Sequence, residues 1–255
     1  MKVYNKSLPR YLKINKCLGK AQKIFKLKAF RNTIFNYTYA GDGILTQNFL
    51  PWTFDIKQRS AYLASFESIP SELTSIRNMH WRSHIVSTLA EMVKKVPGDF
   101  VDCGTWYGVL AKTLCNQSEL VANRDFYLVD PFGAPGFRMM GAYKIGSYEE
   151  DIFDIVKFRF RNDPCVRFIR GTVPECLDLI PSKKVALLMI DMNSGEPEID
   201  ALNFFWNKMP QGSIIYLDDY GQNFPELRKK IDFFLKDKIE KLLVFPTGQA
   251  FLLKH

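Results

Sequence analysis

From residue 99 onward, short apolar runs rich in β-formers alternate with segments of helical period, and this alternation predicts βα units feeding a mostly parallel sheet. The runs fall at 99–103, 126–129, 166–169, 185–190 and 213–217. Four of the five lead through a polar or glycine-bearing turn into a helix-compatible stretch, as in GTWYGVLAKTL and NSGEPEIDALNFFWNKM. The final stretch, LLVFPTGQAFLLKH, places two β-rich runs around Pro246-Thr247-Gly248, which predicts a hairpin and an antiparallel last strand. Ahead of the sheet a helical pattern covers 71–96 and stops at Pro97-Gly98. The fold class read from this pattern is α/β, a doubly wound sheet with an N-terminal helical extension. Three stretches follow: an arm over 1–41, a lid or connecting helical region over 42–79, and a sheet domain over 80–255.

Composition agrees with a folded globular chain: 255 residues, 47% apolar and 24% charged. No stretch reaches the roughly 18 apolar residues that span a bilayer. The N-terminus also lacks the apolar core and cleavage site of a secretory signal, so a cytoplasmic protein is expected. Five cysteines, at 17, 103, 115, 165 and 176, form no C-x-x-C pair, which argues for reduced, mostly buried thiols.

Charge changes the picture at one end. Residues 1–41 hold ten Lys or Arg and no acid, so the body from Asp42 onward carries −2, the +8 of the whole chain less those ten. Ile14, Cys17, Leu18, Ala21, Ile24 and Phe25 share one side of a helical projection, with Lys13, Lys16, Lys20, Lys23 and Lys26 opposite. Such a basic amphipathic helix can lie on the inner face of an anionic membrane, bind a polyanion, or pack on the protein's own core or on a second subunit as a homodimer. Nucleic acid is not an expected partner, because the basic run stops at Arg31 and no binding motif accompanies it.

In doubly wound sheets chemistry gathers where the strands end. The first run enters Asp102-Cys103-Gly104-Thr105-Trp106-Tyr107-Gly108, a glycine-bearing turn into a helix start that exposes backbone amides to a ligand. Its spacing lacks the G-x-G-x-x-G of dinucleotide binders, which weakens a nicotinamide or flavin reading. The second run ends at Asp130, a carboxylate placed to accept both hydroxyls of a ribose or else to begin the turn at Pro131. The fourth and fifth run into Asp191 and into Asp218-Asp219. Three carboxylates at adjacent strand ends repel unless a cation or proton sits among them, and oxygen-only ligation points to Mg²⁺ or a similar divalent ion. The competing reading makes one of the three a helix cap.

Taken in order, GDFVDCGTWYGVLAKTL, FYLVDPFGAP, VRFIRGTVPECL, ALLMIDMN and GSIIYLDDYG resemble the macrocin-type O-methyltransferases, a class I S-adenosylmethionine-dependent family with a Rossmann-like methyltransferase sheet. The resemblance covers about 80–255. It implies that Asp102, Cys103, Gly104, Thr105 and Gly108 cradle the methionine part of the cofactor, that Asp130 binds its ribose, and that Gly171 and Thr172 flank its adenine. It makes Asp191, Asp218 and Asp219 the metal carboxylates. The helix carrying His80, Arg82 and His84 corresponds to one bordering the cofactor, which brings Arg82 or His84 toward the methionine carboxylate or the acceptor. Where many members continue D-G-D, this chain reads Asp191-Met192-Asn193, an amide in place of the second acid. The activity implied is methyl transfer to a hydroxyl of a sugar or glycan-type acceptor, with Asp191, His80 or His84 taking the proton. Nitrogen or phosphate-type acceptors, and a non-catalytic binding protein of the same fold, are the alternatives. Loops over 42–70, 131–150 and 220–226 are expected to shape the acceptor pocket.

Overall fold

The computed structural model describes residues 38–40, 43–45, 56–71, 79–133, 150–221, 225–245 and 247–255. The amphipathic pattern of the arm and most of the 131–150 loop lie outside them. The chain divides into two compact units, Met1–Phe49 and Leu50–His255. In the first, strands β1 (Thr38–Ala40) and β2 (Gly43–Leu45) pair antiparallel with Ala40 opposite Gly43.

The second unit opens with helix α1 (Ile56–Ala64), inside what reads from sequence as connecting region, and α2 (His80–Met92). The pattern over 71–96 thus yields a helix ending at Met92, because a tight turn closed by Val96 N–H to the Val93 carbonyl (2.8 Å) precedes Pro97; residues 72–78 lie outside the described set. There follow β3 (Asp99–Cys103), α3 (Val109–Cys115), β4 (Phe126–Asp130), α4 (Phe153–Arg159) and β5 (Val166–Arg170). A short 3-10 turn (Leu177–Leu179) leads to β6 (Val185–Ile190), α5 (Gly195–Trp206), β7 (Ile214–Leu217), α6 (Pro225–Leu235), β8 (Leu243–Val244) and β9 (Ala250–Leu253).

The seven strands run in the order β5-β4-β3-β6-β7-β9-β8. All pairings through β7 are parallel, and β9 is antiparallel to both neighbours. The five parallel strands and the terminal hairpin match the sequence expectation to within a residue at each end of the parallel strands. Successive side chains face opposite sides and build two cores. Phe100, Phe126, Leu128 and Tyr216 pack with α2, α3 and α4 on one face; Val101, Tyr127, Val129, Ile215 and Leu217 pack with α5 and α6 on the other. Every residue of β6 is buried, so the centre of the sheet reads as a continuous apolar run rather than an alternation.

One polar group ties the first face together. Arg159 is 2% exposed; its Nε donates to the Tyr107 carbonyl (2.8 Å), Nη2 to the Ser65 carbonyl (2.7 Å) and Nη1 to the Glu67 carbonyl. Burial pulls this guanidinium down to about 10, opposed by the charge of Glu67. No described helix is long and apolar enough to cross a membrane.

Candidate active site

The chain builds β3, β4 and β5 on one side, then crosses back to β6 and β7 on the other. That reversal leaves a crevice between the carboxyl ends of β3 and β6. There Gly104 has φ +93°, and an added Cβ would sit 1.9 Å from the Asp191 carbonyl oxygen, so the two turns touch only because residue 104 has no side chain. The Asp191 N–H donates to the Cys103 carbonyl at 2.8 Å, locking the same junction. Asp102, Gly104, Thr105, Gly108 and Asp191 all border one small cavity of about 50 Å³. A larger open depression of about 640 Å³ lies at the opposite ends of the strands; in its lining Arg167 pairs with Asp125 (2.9 Å), and Asp163 pairs with Lys112 (2.5 Å).

The expected cofactor residues take distinct places. Burial pushes the Asp102 carboxyl up to about 7, and the Thr105 hydroxyl donates to the Asp102 carbonyl at 2.9 Å. The Cys103 thiol points into the second core, where burial raises it, so this residue meets the turn through its main chain. Gly108 caps α3 at φ +69°. Each oxygen of Asp130 accepts a backbone amide, Oδ2 from Trp106 (2.8 Å) and Oδ1 from Phe132 (2.5 Å). Burial still pushes Asp130 up to about 6. Gly171 donates its amide to the Asp130 carbonyl (3.1 Å), and the exposed Thr172 hydroxyl donates to Glu175 (2.9 Å).

The three strand-end acids come together. Ile190 pairs with Leu217, so Asp191 and Asp218 leave adjacent strands at one level, and one ligand oxygen from each of Asp191, Asp218 and Asp219 lies within 4.8 Å of the others. Desolvation pushes Asp191 well above the usual carboxylate range, helped by Asp218 and Asp219 and opposed by Arg82. Asp219 is pushed up to about 7, by burial and then by Asp218. Its Oδ2 is buried and has no hydrogen-bond partner among the described residues. Hard oxygen donors that crowd and desolvate one another fit a divalent cation.

Four side chains that shape this cluster were not legible as such in the sequence. Arg82, by resemblance a cofactor or acceptor contact, has its Nη1 2.7 Å from Asp218 Oδ2, an ion pair misaligned for a hydrogen bond. Tyr216, two residues before Asp218 on the same sheet face, donates its hydroxyl to Asp218 Oδ1 at 2.6 Å. Asn193, at φ +54°, spans two acids: its Nδ2 donates to Asp191 Oδ1 (3.3 Å) and its backbone amide to the Asp219 carboxylate. Glu198, fully buried in the first turn of α5, lies 3.4 Å from the Met192 N–H through Oε1 and is pushed up to about 8 by burial and by Asp219. In sequence it resembles an ordinary acid at a helix N-terminus.

The two histidines face elsewhere. They lie two residues to either side of Arg82, about 200° around the helix from it. Accordingly His84 Nδ1 lies 2.9 Å from Gln58 Oε1 on α1, and the His80 ring packs 5.0 Å from that of Tyr62. Burial, then Arg59, lowers the His80 pKa.

The sequence model of the macrocin-O-methyltransferase (TylF) family matches residues 77–243, more than half of the chain. The chain belongs to the macrocin O-methyltransferase (TylF) family. As a TylF-family protein it is an S-adenosylmethionine-dependent O-methyltransferase. The O-methyltransferase NovP is 21% identical over 66% of this chain and 78% of its own, with a TM-score of 0.56. The calicheamicin methyltransferase CalS11 is 19% identical over 85% and 99%, with a TM-score of 0.57. An apo structure of CalS11 described as a TDP-rhamnose 3'-O-methyltransferase of calicheamicin biosynthesis is 19% identical over 77% and 92%, with a TM-score of 0.54. At these identities the likeness establishes the fold. No curated protein matches the chain in sequence.

Proposed function

We propose that this methyltransferase acts on a hydroxyl of a sugar or glycan-type acceptor and that a divalent cation, held by Asp191, Asp218 and Asp219, assists it. The observation that carries the reading is the convergence of these three carboxylates on one another, with Asp191 also bordering the cavity at the Gly104 turn. Relatives of the same fold include an enzyme described as acting on TDP-rhamnose.

When bound, the sulfonium cofactor supplies an electrophilic methyl carbon, and the cation supplies a Lewis acid that makes a poorly acidic sugar hydroxyl easier to deprotonate. The remaining tasks belong to the chain. Gly104, Thr105 and Gly108 keep the turn open to the cofactor's methionine end, and Asp130 fixes the neighbouring turns. Asp191 borders the crevice with a carboxylate that can accept the proton, and Asn193 Nδ2 donates to its Oδ1. With His80 and His84 turned toward α1, Asp191 is the group assigned to take the proton.

The test is an incubation of the full chain with methyl-labelled S-adenosylmethionine and Mg²⁺ against nucleotide sugars, glycosides, phenols, amines and phosphate esters, read by mass spectrometry. Label on a sugar hydroxyl, lost in chelator and restored by Mg²⁺, is the expected result. Label confined to another acceptor class overturns the substrate reading; full turnover in chelator overturns the metal reading.

A further inference from the structure

Three formal negative charges meet at the ends of β6 and β7, and one positive side chain from outside the sheet reaches them. Arg82 projects from α2 onto the face that carries Tyr216, and its Nη1 lies 2.7 Å from Asp218 Oδ2. Burial works against the Arg82 charge, but Asp218 and then Asp191 outweigh it and keep the guanidinium firmly protonated. Asp218 is fully buried, and its other oxygen already accepts the Tyr216 hydroxyl at 2.6 Å. Beside it Asp219 Oδ2, on a residue 3% exposed, lacks a hydrogen-bond partner among the described residues. The cluster is thus partly compensated: of its three negative charges one is balanced by a permanent counter-ion, and two remain for a cation to balance.

We infer that Arg82 is a resident counter-cation that sets the formal charge of the cluster at −2, the balance that a divalent ion closes and a trivalent ion overfills. This rests on the reading that the acids hold a divalent cation, and it adds how the site selects ion valence. The Arg82–Asp218 contact is short but not aligned as a hydrogen bond, so it acts mainly through charge. A point charge a few ångströms from a bound ion repels it in proportion to the ion's own charge. Arg82 therefore penalises Tb³⁺ more than Mg²⁺. A guanidinium that merely fastened α2 to the sheet would give no such bias, and its loss would weaken both ions alike.

The experiment compares Mg²⁺ binding by calorimetry and Tb³⁺ binding by luminescence at fixed ionic strength, using the full-length wild-type chain, Arg82→Met and Arg82→Lys. Arg82→Met is expected to bind Mg²⁺ about tenfold more tightly and Tb³⁺ about thirtyfold more tightly, the exponents scaling with ion charge. Arg82→Lys, which keeps the charge, retains the wild-type ratio of the two affinities. The double variant Arg82→Met/Asp218→Asn strands no charge and restores a cluster of −2, so its affinity ratio returns to the wild-type value even if the single Arg82→Met chain fails to fold. An unchanged ratio in Arg82→Met, equal weakening of both ions, or a double variant whose ratio departs from wild type overturns the role of Arg82. If no variant and no wild-type sample binds either ion, the divalent-cation reading itself fails.

Discussion

The Trp106 amide donates to Asp130 Oδ2 at 2.8 Å while Trp106 itself stands at φ +49°. The other oxygen of the same carboxylate takes the amide of Phe132, at φ +55°. Left-handed backbone costs a bulky residue about 1–2 kcal/mol, and charge-assisted bonds from one buried acid offset that cost at two turns at once. The turns after β3 and β4 are therefore held in place before any ligand arrives.

Asp130→Ala should weaken binding of S-adenosylhomocysteine by about 1–3 kcal/mol, through loss of charge-assisted bonds and relaxation of both turns. Calorimetry reads the affinity, and Asp130→Asn, which keeps an acceptor oxygen for one amide, should fall between. Unchanged affinity in both variants would remove Asp130 from the site.

Gly104→Ala tests the crevice floor. Its Cβ would press on the Asp191 carbonyl oxygen at 1.9 Å, from a φ of +93° that alanine avoids. The turns after β3 and β6 must separate, at a cost of about 1–3 kcal/mol in stability typical of overpacking. A lower urea midpoint together with weaker S-adenosylhomocysteine binding is the expected pair of results. A chain that keeps both values would mean that the two turns are not in contact in solution.

Asp218→Ala combined with Asp219→Ala should abolish metal-dependent turnover and leave S-adenosylhomocysteine binding measurable, since neither residue borders the cavity at the Gly104 turn. Asp191→Asn should lower kcat far more than it changes the KM for the cofactor. Retention of kcat in Asp191→Asn would move the proton acceptor elsewhere.

Stability should depend on pH in a sign fixed by burial. Asp102 and Asp219 are pushed up to about 7, Asp130 to about 6 and Glu198 to about 8. In the unfolded chain these groups titrate near 4, so across the window from about pH 4 to about pH 8 the native state holds more protons and stability falls as pH rises. His80 is lowered by burial and pulls the other way below 6.5. Metal-free protein should show a Tm that declines from about pH 6.5 to about pH 8.5, with added Mg²⁺ flattening the decline by taking the place of protons. Scanning calorimetry reads this, and a Tm that climbs over that range would contradict it.

The sheet was legible because its signal is local. Runs such as VALLMI and IIYL are apolar over the length of one strand, and the acids that end them are adjacent in the chain. Parallel order then brings Asp191 beside Asp218 through the Ile190–Leu217 pairing. What the residues of the site do to one another was less legible. Arg82 meets Asp218 only because α2 crosses the face that carries Tyr216, and no periodicity records that crossing. His84, four residues from His80 on the same helix, turns to Gln58, a partner in a helix that reads from sequence as connecting region. Asp130 reads from sequence as a ribose acceptor or a turn start; that each of its oxygens holds an amide depends on loop paths which spacing does not specify.

Arg159 also fixes how far this enzyme can be trimmed. Two of its three carbonyl acceptors, on Ser65 and Glu67, lie upstream of residue 77, where the family match begins. A fragment excised at that point would leave a guanidinium in the apolar interior with the Tyr107 carbonyl alone, and the loss would be felt at the turn between β3 and α3. The smallest autonomous piece of the protein therefore reaches back at least to Ser65, beyond the stretch by which its kinship is recognised.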